Sequence, residues 1–174
     1  MTVAPPSIGP PRRPRLGTAG AALVALALVA PAAGCSGGGP ERPSGGCDDR
    51  VEPSVAVPGA LRARLAAHDI TSVVGEGMVW FIAPASATWS EVVQSEGGRR
   101  SAKLPLWVDR DGPLPTFTVR LADGSGPRGS MSAHPTADGL PGPVPATATF
   151  PEAGCWAVEA SVDGDVARIT VDAR

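Results

Sequence analysis

Three cysteines, at positions 35, 47 and 155, are the residues of this 174-residue chain whose types and spacing point most directly to chemistry. Cys35 follows Ala32-Ala33-Gly34. Upstream lie an apolar run from Ala21 to Ala30 and the basic residues Arg12, Arg13 and Arg15. A cationic start, an apolar segment of about ten residues and a small-residue cut are the three parts of an export signal. A cysteine directly after that cut is where bacterial lipoproteins receive a diacylglyceryl thioether, so Cys35 is the expected lipidation site. Two other readings stay open. Ala30-Pro31-Ala32 also fits ordinary signal cleavage, which would release a secreted protein. An uncleaved anchor is the other, although the strongly apolar part is about half of the roughly 20 residues that cross a bilayer.

An odd cysteine in an exported protein needs a partner or a job. Lipidation of Cys35 leaves Cys47 and Cys155 as an even pair, and export to an oxidising compartment favours a bridge between them. Such a bridge closes a loop of more than 100 residues. In the chain-entropy model a loop of that size contributes about 4–5 kcal/mol.

The remaining chemistry-bearing residues are weaker candidates. Asp109-Arg110-Asp111-Gly112 begins like a calcium loop, but Pro113-Leu114-Pro115 follows and no Glu arrives at the twelfth position. A solvated turn is expected there. Met131, His134, His68 and Met78 are ligand types that suit Cu(I), yet no close motif joins them. Met131 reads as a gap filler and His134 as an exposed loop residue. Ser130 or Ser132 with His68 or His134 and an aspartate lacks the specificity of a catalytic triad. No P-loop, dinucleotide fingerprint, nucleophile elbow or zinc-binding cysteine cluster is present. Neither an enzyme nor a cofactor is expected. A copper- or calcium-binding protein is the alternative, and a small hydrolase comes after it.

Composition narrows the partners. Residues 1–34 hold three of the 15 Lys and Arg and none of the 17 acids, so the remainder carries 12 basic and 17 acidic side chains, formally −5. The acids are spread from Glu41 to Asp172, without the clustered basic footprint of a nucleic-acid binder. No nucleic-acid partner is expected. Attachment to an anionic membrane must come from lipid rather than from a polybasic segment.

Stepping inward from Cys35, residues 35–46 are rich in Gly, Ser and Pro and form a flexible tether, with about 20 Å of typical span from Cys35 to Cys47. Residues 47–174 are long enough for one domain with an adequate core. Short apolar segments separated by Gly, Pro and Asp predict an all-β sandwich. The clearest strands are Val79–Ala83, Leu104–Val108, Phe117–Leu121, Ala146–Phe150, Trp156–Val162 and Val166–Val171. Leu61 and Leu65 favour a short helix. Thr88-Trp89-Ser90-Glu91 reads as a capping box. Asp163-Gly164 suits a type I′ hairpin turn. That register pairs Trp156 with Val171, Val158 with Ile169 and Ala160 with Ala167 on one face, and Glu159 with Arg168 on the other. Cys155 then points away from the main core.

Phe150-Pro151-Glu152-Ala153-Gly154-Cys155-Trp156 resembles the Phe-Pro-x-x-Gly-Cys-Trp signature of uncharacterised bacterial, often actinobacterial, exported lipoproteins. Val79-Trp80, Lys103 to Trp107 and Arg120 to Gly124 are supporting matches, and Leu106-Trp107 stands where that family often has Trp-Trp. The resemblance covers about residues 74–171. It implies an immunoglobulin-like β-sandwich and no active site.

Among the tryptophans, Trp156 and Trp80 are expected in the core. Trp107 lies opposite the Leu104, Leu106, Val108 face. Its ring is therefore directed to solvent or a partner, or it lies under the tether or a crossing loop. The expectation is a lipoprotein on the extracytoplasmic face of a bacterial cell membrane, anchored through Cys35. It would act as a binding module for an envelope protein or glycan, with Trp107 as the candidate interaction residue.

Overall fold

The computed structural model describes residues 46–174. The expected export segment, Cys35 and nearly all of the expected tether lie outside the described residues. The elements in chain order are α1 (Gly59–Ala66), β1 (Val73–Glu76), β2 (Val79–Ile82), a 3-10 turn (Trp89–Val92), β3 (Val93–Glu96), β4 (Arg99–Lys103) and β5 (Leu106–Val108). They continue as β6 (Thr116–Leu121), β7 (Ser130–Ala133), β8 (Gly142–Val144), β9 (Ala146–Phe150), β10 (Cys155–Val162) and β11 (Asp165–Asp172).

Three antiparallel sheets form, in the orders β1-β2-β5-β8, β11-β10-β6 and β3-β4-β9-β7. All three send alternate side chains into one core, which makes the all-β sandwich. Val79, Phe81, Leu106, Val108 and Val144 come from the first sheet. Trp156, Val158 and Ile169 come from the second, and Ala102, Ala148 and Phe150 from the third. Burying each of the larger side chains stabilises by about 1.5–3 kcal/mol. Leu104, next to β5, joins the same core.

The β10–β11 hairpin has the expected register throughout. Trp156 faces Val171, Val158 faces Ile169, Ala160 faces Ala167, and Glu159 faces Arg168. Asp163 and Gly164 both have positive φ, 51° and 100°, as a type I′ turn requires. On the outer face the Glu159 carboxylate accepts from Arg168 Nε at 2.8 Å and from Arg120 on β6 at 3.2 Å.

Helix α1 starts after Pro58, whose fixed φ leads into the first turn. It closes with Asp69 at φ 58°, while the Ile70 N–H donates to the Leu65 carbonyl and the Asp69 N–H to that of Ala66. This is a Schellman ending with Asp69 in the left-handed position. Leu61 and Leu65, four apart, form its buried stripe.

The expected capping box at Thr88 does not form. Thr88 precedes a short 3-10 turn and its side chain caps no backbone N–H. Its hydroxyl meets Ser90 Oγ and Glu91 instead. The free Ser90 N–H is satisfied from elsewhere in the chain, by Asp49 Oδ2 at 3.1 Å. A turn this short has fewer orphan donors than a full helix, and Asp49 reaches one of them first.

Candidate functional site

The chain enters the domain at a firmly fastened pole. Cys47 is disulfide-bonded to Cys155, with Cα atoms 5.4 Å apart across a sequence separation of 108. Cys155 opens β10 opposite Asp172, and is only partly buried, with its neighbour Trp156 turned into the core. Beyond the bridge, the Asp49 carbonyl accepts the Trp89 N–H at 2.8 Å, and Arg50 pairs with Thr88. Further on, Ser54 Oγ exchanges hydrogen bonds with the backbone of Gly75 at the edge of β1. A cavity of about 600 Å³ beside the disulfide is lined by Gly46, Cys47, Leu121, Ala122 and Gly154 among others. The entry segment is thereby tied to β10, to the 3-10 turn and to β1.

Trp107 points away from Leu106 and Val108, as the alternation of β5 requires, but it does not reach solvent. Only 1% of its surface is exposed. Leu61 and Leu65 of α1 cover it, together with Val73 and Trp80, in a second apolar cluster on the outer face of the first sheet. The His68 ring meets it edge-on at 5.3 Å, and its indole N–H reaches Asp109 Oδ1 at 3.5 Å. The candidate interaction residue is thus a structural one. Five apolar side chains gain more by excluding water under a helix than one ring gains by facing it.

The other chemistry-bearing residues disperse. Asp109 is held by Arg64 at 2.6 Å. Met131 packs against the main core, whereas Met78 is 42% exposed beside the β1–β2 turn. No hydrogen bond joins Ser130 or Ser132 to either histidine among the described residues. Nor does any group of three or more His, Cys, Asp and Glu there form a metal-holding cluster.

A polar face that the sequence reading did not single out lies on the third sheet. In β4, Ala102 is buried, so Arg99, Ser101 and Lys103 turn outward. In β9, Ala146, Ala148 and Phe150 turn inward and Thr147 and Thr149 outward. β7 adds Ser130 and Ser132. The register aligns Ser101, Thr149 and Ser130 in one cross-strand row and Lys103, Thr147 and Ser132 in the next. At the end of these rows is a groove of about 460 Å³ between the Gly97-Gly98 turn and Arg128, with Arg99, Ser130 and Thr149 among its lining residues. The alternation of small apolar with hydroxyl residues in Ala146–Thr149 and Ser130–Ala133 was the signal available in the sequence.

No family model, curated protein or solved structure matches this chain. The functional reading therefore rests on the cysteines, the fold and the surface chemistry of the chain itself.

Proposed function

We propose that this chain is an exported lipoprotein of a bacterial cell envelope, attached to the extracytoplasmic face of the membrane through Cys35, with a non-enzymatic binding domain. The observation that carries the proposal is the Cys47–Cys155 bridge. It uses two of the three cysteines, which leaves Cys35, directly after the small residues Ala32-Ala33-Gly34, as the odd one, whose job would be to carry lipid. A disulfide joining the domain's entry to β10 also suits an oxidising compartment outside the cytoplasm. Fastening the entry segment would pass a pull on the anchor into the sheet rather than into a loose terminus. The Phe150 to Trp156 resemblance to exported lipoproteins points the same way.

Replacing the acceptor tests the reading. A Cys35→Ala chain expressed in an actinobacterial host is expected to leave the membrane fraction while keeping its disulfide and fold. Membrane association as strong as that of the unsubstituted chain would refute lipid anchoring.

A further inference from the structure

We propose that the outer face of the β3-β4-β9-β7 sheet, with the groove at its end, binds an acidic polysaccharide. The choice of a cell-envelope glycan as occupant rests on the function proposed above; the binding chemistry rests on the face itself.

Arg64, Arg110, Arg120, Arg168 and Arg174 are each matched to a carboxylate. Of the cations without an ion pair among the described residues, Arg50 and Arg62 lie elsewhere and Arg100 alternates inward on β4, whereas Arg99, Lys103 and Arg128 border one sheet face. Glu96, opposite Arg99 in the β3–β4 register, is the acid that the sheet itself contributes. Three cations against that one acid leave a net positive face on a chain whose overall charge is negative, a local site for an anion. Arg99 and Arg128 line the groove, and Lys103 lies further along β4, so the charges are spaced along a path rather than gathered at one point. A repeating polyanion suits that layout better than a single small ion.

The surface between the cations selects among polyanions. It consists of the hydroxyls of Ser101, Thr149, Ser130, Thr147 and Ser132, which both donate and accept hydrogen bonds and so match the hydroxyls of a sugar. The absence of side chains at Gly97 and Gly98 leaves the groove wall low. The large exposed hydrophobic residues, Val55 and Met78, lie elsewhere among the described residues, so the face has no apolar anchor for a protein hot spot or for insertion into a bilayer. It also has no exposed aromatic ring on which a nucleobase would stack.

The test uses the full chain in neutral-detergent micelles and immobilised polygalacturonate, a carboxylated polysaccharide, with neutral dextran and inorganic polyphosphate as comparisons. Polygalacturonate is expected to retain the chain, dextran is not, and retention should fall as salt screens the charges. Arg99→Glu/Lys103→Glu/Arg128→Glu together should weaken binding by about tenfold or more, whereas Arg50→Glu/Arg62→Glu, which adds like charge elsewhere, should change it by less than about twofold. If the triple variant fails to fold, exposed Lys103→Glu alone should still weaken binding by about threefold. Ser101→Ala/Ser130→Ala/Thr149→Ala should remove the preference for polygalacturonate over polyphosphate. No retention on polygalacturonate, equal retention on dextran, or equal loss in the Arg50/Arg62 control would overturn the proposal. So would polyphosphate binding as tightly to the unsubstituted chain, or displacement of the polymer by phosphatidylglycerol doped into the micelles. Cys35→Ala should leave polymer binding unchanged, so loss of membrane anchoring and loss of this site are read separately.

Discussion

Two outer sheet faces of this molecule have opposite fates. The outer face of β1-β2-β5-β8 presents Trp80 and Trp107, and α1 roofs it with Leu61 and Leu65. The outer face of β3-β4-β9-β7 presents hydroxyls and unpaired cations, and no helix of the described residues covers it. The same pleated geometry underlies both, so side-chain type decides which face is closed. An outward tryptophan signals a roof as readily as a partner. An open face has to be sought where the outward residues lose little by staying wet.

The strongest way to break this contrast is to remove the ring under the roof. Trp107→Ala should destabilise the domain by about 3–5 kcal/mol, as expected for a large core aromatic. Urea unfolding monitored by far-UV dichroism measures it, and a change below about 1 kcal/mol would mean that the face is not closed.

A second substitution probes the edge of the open face. A Cβ at Gly129, just before β7, would lie 2.8 Å from the Thr149 carbonyl oxygen and 2.5 Å from Val119 Cγ1. The backbone of Thr149 cannot yield without disturbing the β7–β9 ladder. Gly129→Ala should therefore cost about 1–3 kcal/mol, even though the residue lines a surface groove. The smallest effect sharpens the contrast from the other side. Ser132→Ala, in the middle of the wet face, should alter stability by no more than about 0.5 kcal/mol in the same unfolding experiment.

How much of this was legible in the sequence differs by region for physical reasons. The β10–β11 hairpin could be read in full because Asp163-Gly164 fixes the turn and the alternation of Trp156, Val158 and Ala160 fixes the register. β1, β3, β4, β7 and β8 were not singled out. They are three to five residues long, and their inward positions are often small or only half-buried, as at Ala102, Met131 and Ala133. Gly97-Gly98 between Glu96 and Arg99 was an available turn signal for the β3–β4 hairpin.

The direction of Trp107 was readable from alternation within β5, but its cover was not. Leu61 and Leu65 reach it from a helix that is distant in sequence, and periodicity within one segment carries no information about which other segment packs on it. The disulfide was legible from cysteine counting because only three cysteines exist, and lipidation was already expected at one of them. The cationic groove was missed because Arg99 and Arg128 are remote in sequence and meet only through the β4–β9–β7 ladder.

The central claim is that Cys35 is the lipid acceptor while Cys47 and Cys155 are paired. Intact mass spectrometry of the membrane-extracted protein, before and after reduction, addresses it directly. The expected species is a chain that begins at Cys35, carries acyl mass, and gains two hydrogens on reduction. A mature chain that begins elsewhere, lacks acyl mass, or shows free thiols at both Cys47 and Cys155 would contradict it.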